Sequence, residues 1–171
     1  MNIKKWQIFA SIFCLILGTI LHFTYEWFNY NVIVGLFSTI NESVWEHLKL
    51  LFYPMFFISI IGYFKIGRKL CNYWYAQMYG IVFALIFVVV FFYTYTGIIG
   101  TNFAIVDIGS FFIAVGLGQY VAYQKMQSTS SCSNVIPIII LLVLCSCFLI
   151  FTFFPLHIAL FEDPIIGLFG I

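Results

Sequence analysis

The nine acids and histidines of this sequence can carry metal-binding or proton-transfer chemistry: the acids Glu26, Glu42, Glu46, Asp107, Glu162 and Asp163, and the histidines His22, His47 and His157. Imidazole nitrogens and carboxylate oxygens are the ligands that zinc, iron and manganese take. Spacing groups several of them. His22 and Glu26 are four residues apart and share one face of a helix. Glu42, Glu46 and Lys49 fall at i, i+4 and i+7, one stacked face, and His47 lies about 100° round from Glu46, near enough to border the same cavity. The metal-ligand set expected from these positions is His22, Glu26, Glu46, His47 and Asp107, with His157 in reserve. Glu46, His47 and Glu42 are the candidate catalytic groups. A divalent cation such as zinc, iron or manganese held there would activate water for hydrolysis of a lipid-linked substrate, with a spare carboxylate as general base. The spacing is not His-Glu-x-x-His or any other established metal motif, so this chemistry rests on clustering and not on a signature.

The elements that must position these groups are membrane helices. Of 171 residues, 64% are hydrophobic and only 8% charged, and the mean hydropathy is +1.10. Soluble domains carry about 25% charged residues, so this chain could not cover a water-facing surface, and a bilayer is its natural solvent. A net charge of +1 leaves no case for nucleic acid or for a polybasic lipid-binding surface. Five apolar stretches approach the length of about 20 residues that a span needs: Trp6–Phe28, Trp45–Phe64, Met78–Thr96, Phe103–Tyr123 and Val135–Phe154. The first resembles a signal peptide, but no small residues follow its apolar run, so an uncleaved helix is expected. The predicted fold is therefore all-α, a single transmembrane domain over 1–171, a bundle of five helices. The serine-rich stretch Gln124 to Asn134 is too short to fold alone.

Basic residues orient the bundle. With the amino terminus in the cytoplasm, Lys4, Lys5, Lys65, Arg68, Lys69 and Lys125 all fall in cytoplasmic segments, and only Lys49 does not. The carboxyl terminus is then extracytoplasmic. Trp6 and Trp74 are placed at the inner interface, Trp27 and Trp45 at the outer one. Cys71 and Cys132 fall in cytoplasmic loops, and Cys14, Cys145 and Cys147 in spans, so no structural disulfide is expected.

This orientation puts all six acids and all three histidines at the outer ends of helices or in outer loops. The positive-inside rule does not require that, because acids contribute little to orientation. An ionised side chain facing lipid costs at least roughly 2.5–3.5 kcal/mol, so groups at this depth must face inward, pair or line a wet cavity. Lys49 is too deep for a plain anchor, and Glu42 or Glu46 is its expected partner. The third helix adds Tyr93, Thr94, Tyr95 and Thr96, which can hydrogen-bond. Thr39-Ile40-Asn41-Glu42 matches a capping box for the second helix, Pro54 is expected to kink it, and Ala114-Val115-Gly116-Leu117-Gly118 offers a small-xxx-small face to a neighbour.

The segments His22-Phe23-Thr24-Tyr25-Glu26-Trp27, Asn41-Glu42-Ser43-Val44-Trp45-Glu46-His47-Leu48-Lys49, Tyr93-Thr94-Tyr95-Thr96-Gly97 and Glu162-Asp163-Pro164 resemble a family of small bacterial multi-pass membrane proteins of unknown function. The resemblance runs over nearly the whole chain and implies a bacterial plasma (inner) membrane, with no activity or site to transfer. Two other readings of the polar cluster stand beside metal-assisted hydrolysis. One is a binding or transport site for a small solute, ion or proton. The other is structural, with the polar groups tying helices together. The sequence leaves enzyme against non-enzyme, the ligand and the oligomeric state open.

Overall fold

The computed structural model of the chain describes residues 2–128, 132–164 and 167–170. Positions 129–131 of the serine-rich loop, and 165, 166 and 171 of the apolar tail, lie outside the described residues. Among the described residues the fold is all-helical: α1 (Ile3–Trp27), α2 (Val32–Gly35), α3 (Val44–Lys65), a 3-10 turn (Gly67–Lys69), α4 (Tyr73–Ile99), α5 (Ala104–Gln127) and α6 (Val135–Phe153). All but α2 and the 3-10 turn are long and apolar enough to cross a membrane, as the sequence predicts. The short α2 was not predicted; four residues carry too little periodicity to read. Local signals set several ends. The side chains of Asn2 and Asn31 accept the backbone N–H two residues on and cap α1 and α2. Gly100, at φ 85°, closes α4 in a conformation that other residues disfavour.

The most apolar window of α3 is 61% buried, against 22% to 28% for the other four long helices, which makes α3 the central helix. Successive long helices alternate in direction. Trp6, near the start of α1, packs against Gly62 near the end of α3, while His22 and His47 meet at the opposite end. The tightest crossing joins α4 to α5. A Cβ on Gly80 would stand 2.5 Å from the Gly118 carbonyl oxygen, so the two backbones touch there. Ala114 and Gly118 both face this crossing, as the small-residue spacing predicts, and close approach of this kind is what holds helices together in lipid. Pro54 lies inside α3 and is buried.

The ionisable groups segregate by end. His22 and Glu26 lie in the last turns of α1, Glu46 and His47 in the first turns of α3, Asp107 in the first turn of α5, and His157, Glu162 and Asp163 after α6. Lys4, Lys5, Lys65, Arg68, Lys69 and Lys125 occupy the other end. There, buried polar side chains link helices: Gln7 Nε2 donates to the Gln119 carbonyl at 3.2 Å, and Ser59 Oγ donates to Gln77 Oε1 at 2.9 Å.

Three expectations need correction. The N-cap of α3 is Ser43, whose hydroxyl accepts Glu46 N–H at 3.3 Å, not Thr39. Ser43-x-x-Glu46 fits the same capping pattern four residues later, and Thr39 is engaged by α1 instead. Trp6 is buried, and Trp45 is wedged among Phe148, Phe151 and Phe161, so both pack inside the protein rather than serving as interfacial anchors. Cys71 and Cys132 form a disulfide, with Cα atoms 4.7 Å apart. The antiparallel α4–α5 pair brings the connections before α4 and after α5 to the same end, a proximity hidden by 61 residues of separation.

Candidate functional site

The site is organised by a buried lysine. Lys49 Nζ is sealed from solvent and reaches Glu46 Oε2 at 2.6 Å, the carbonyl of Gly35 at 2.8 Å, the carbonyl of Ser38 at 3.2 Å and Thr152 Oγ1 at 2.8 Å. An ammonium group with fewer partners would be costly in this setting. These contacts draw the connection after α2 and the end of α6 onto α3. The segment leading into α3 is then fixed residue by residue. The Ser38 hydroxyl donates to the Leu21 carbonyl and accepts Tyr25 N–H at 3.2 Å, inserting into the last turns of α1. Thr39 Oγ1 lies 3.3 Å from both the carbonyl and Nδ1 of His22. Ile40 N–H donates to Glu46 Oε2 at 3.1 Å, and Glu42 N–H donates to Asp163 Oδ2 at 3.0 Å.

The result is a cluster at the open end of the bundle. Ligand-capable atoms of His22, Glu42 and His47 all lie within 4.8 Å of one another. His47 Nε2 is 3.5 Å from Glu42 Oε2, and the two imidazole rings are 5.4 Å apart by centroid. His47 Nδ1 lies 3.0 Å from the Ser43 carbonyl, which can only accept, so Nδ1 carries a proton and Nε2 is the ring nitrogen that faces the Glu42 carboxylate. Two electron-rich atoms facing each other this way call for a cation or a proton between them. A hydrogen bond from the second nitrogen is also how metal-bound histidines are oriented. The Glu42 and His47 side chains are 47% and 36% exposed, so the cluster is open to water.

A cavity of about 120 Å³ adjoins it, lined by His22, Tyr25, Glu26, Tyr30, Thr39 and Glu42 among others. Glu26 projects from the same face of α1 as His22, one turn on. Asn29 and Tyr30, at φ 52° and 58°, make the turn that brings Tyr30 to the cavity. Asparagine tolerates that conformation, but a tyrosine there is strained, and such strain collects at functional sites.

Of the expected site residues, the structure brings His22, Glu42 and His47 together and lines the adjoining cavity with Glu26. It does not bring Glu46 and Asp107 to them. The Glu46 carboxylate takes Lys49 and Ile40. Asp107 accepts the Tyr95 hydroxyl and, at 3.3 Å, Asn102 Nδ2, within the α4–α5 connection. His157 is exposed and its ring packs on Phe169. Sequence reasoning missed Ser38, the pairing of Thr39 with His22, and Tyr30. Only the short connections on either side of α2, which leave their residues few places to go, could have flagged them.

A family model described as Family of unknown function (DUF6512) matches residues 1–171. No curated protein matches the chain, and no solved structure does.

Proposed function

This chain belongs to DUF6512, a family of unknown function, and we propose that its His22–Glu42–His47 cluster binds a divalent metal at one end of a membrane bundle. The convergence of two histidines and a carboxylate within 4.8 Å is the observation that carries the reading. A tetrahedral shell with bonds of about 2.1 Å needs donor atoms roughly 3.4 Å apart, so the side chains close on the ion by a small rotamer adjustment. Three protein ligands would leave a fourth position for water beside the cavity that Glu26 lines, as catalytic rather than structural metal sites do. Zinc, iron and manganese all accept this donor set.

The chemistry the metal would supply is Lewis-acid activation of water for hydrolysis. Glu26 lines the cavity without belonging to the trio and is the general base in this scheme. His22, Glu42 and His47 would hold the ion, and Thr39 and the Ser43 carbonyl set the ring orientations. Glu46 supports the site through Lys49 and Ile40, and in that part of the cluster the structural reading is the better supported one. The substrate is a lipid-linked molecule. The cavity sits in the last turns of a membrane helix beside the exposed apolar residues Phe23, Trp27, Val32 and Ile33, so a polar group can enter while its chain stays in the bilayer.

The membrane is the bacterial plasma membrane, with the amino terminus in the cytoplasm and the site extracytoplasmic. Six basic residues at the opposite end support that orientation. The test is elemental analysis of the detergent-purified protein beside His22→Ala, Glu42→Gln and His47→Ala. A near-stoichiometric transition metal in the wild type, lost in all three variants while each still folds, supports the site. A wild type that stays empty after incubation with zinc, iron and manganese overturns it.

A further inference from the structure

At the end of the bundle opposite the histidines, the disulfide joins the α3–α4 connection to the α5–α6 connection. Both cysteines are exposed. The loops do not depend on the sulfur bridge to stay together. Asn72, next to Cys71 and itself buried, donates through Nδ2 to the carbonyls of Lys125 at 2.8 Å and Ser128 at 2.7 Å. Opening the sulfur bridge therefore leaves the two connections packed together through Asn72.

The exposure of both cysteines leaves the disulfide open to attack by a small thiol. We propose that Cys71 and Cys132 are a reversible dithiol–disulfide pair on the cytoplasmic face, exchanging with the cellular low-molecular-weight thiol–disulfide couple. In the oxidising direction one cysteine thiolate attacks a sulfur of glutathione disulfide and expels a glutathione thiolate, leaving a mixed disulfide. The second cysteine thiolate attacks the protein sulfur of that mixed disulfide and expels the second glutathione. Two electrons pass from the cysteine pair to glutathione, and the two cysteine protons end on the two glutathione thiols. Disulfides seldom persist in a reducing cytoplasm, so a pair held in reach there serves exchange and not permanent cross-linking.

The experiment is differential alkylation of the full chain in membranes equilibrated over a series of reduced-to-oxidised glutathione ratios, with each cysteine read by mass spectrometry. Cys71 and Cys132 are expected to change state together over a single two-electron transition, while Cys14, buried in the bundle, stays reduced throughout. In Cys71→Ser, Cys132 is expected to stop at the mixed glutathione disulfide, which shows that exchange needs the neighbour even if that variant is less stable. An impermeant maleimide on intact, prereduced cells is expected to leave both unlabelled until the membrane is opened. The proposal fails if the pair stays oxidised or stays reduced at every ratio, if the two cysteines titrate independently, or if the impermeant reagent reaches them from outside.

Discussion

Lys49 and Glu46 meet through Nζ and Oε2 at 2.6 Å, one turn apart on α3, where solvent reaches neither. Glu46 is thereby committed to a charge partner and to Ile40 N–H, and Glu42 is the carboxylate that faces the histidines. Removing one member of such a pair leaves an unpaired buried charge, which costs about 3–5 kcal/mol. Lys49→Met and Glu46→Gln are each expected to lower stability by that order, and the double variant by less than the sum. Thermal unfolding of the detergent-solubilised variants measures all three. Strictly additive losses would mean that the two groups do not depend on each other.

Metal affinity should separate from stability at Thr39. Its hydroxyl holds the His22 ring from the side and does not belong to the trio. Loss of a partner of this kind costs about 10- to 100-fold in affinity. Thr39→Val is expected to weaken zinc binding by at least the lower figure with little change in unfolding temperature, and isothermal titration measures it. Unchanged affinity would show that the ring is held by packing alone.

The division between what the sequence disclosed and what it concealed follows from the range of the interactions. Spans declare themselves through runs of apolar residues, and the segregation of His22, Glu26, Glu46 and Asp107 from the basic residues needs only the alternation of helices. The pairing of Lys49 with Glu46 is likewise local, three residues on one helix. The choice between Glu42 and Glu46 as the group facing His47 was not local. It turns on whether α3 begins after Thr39 or after Ser43, and both positions satisfy the capping pattern. Tertiary contacts decide it: Thr39 goes to α1, and the carbonyls of Gly35 and Ser38 go to Lys49. The disulfide was concealed for a similar reason, because compartment and spacing say nothing about which loops the α4–α5 pairing brings side by side.

The α4–α5 crossing offers a matched pair of substitutions. A Cβ on Gly80 would press on the Gly118 carbonyl at 2.5 Å, and backbone there cannot yield without separating the helices. Gly80→Ala is expected to destabilise by about 1–3 kcal/mol, the usual cost of overpacking. Gly116, also on α5, has nothing within 4 Å of the point where a Cβ would stand, so Gly116→Ala is expected to be neutral or slightly stabilising through helix propensity. Unfolding in mild detergent compares the two. Equal effects would place Gly116 in a contact that a single chain does not have.

The segment after α6 is the remaining support of the site. Leu160 supplies its carbonyl to Trp45 N–H at 2.9 Å, satisfying a first-turn donor of α3 that has no partner within the helix. Asp163 Oδ2 accepts Glu42 N–H at 3.0 Å, and the Gly170 carbonyl accepts Asn41 Nδ2 at 3.2 Å. The backbone of Glu42 and the side chain of Asn41 are thus held by residues more than a hundred positions away. Asp163→Ala removes a charge-assisted bond and is expected to cost about 1–3 kcal/mol of stability. It should also raise the zinc dissociation constant several-fold, because Glu42 must then be ordered at the moment of binding, and excess zinc should restore occupancy. Thermal unfolding with and without zinc reads both effects. A variant destabilised by the same amount whether or not zinc is present would make Asp163 a tie on the segment leading into α3 with no part in metal binding.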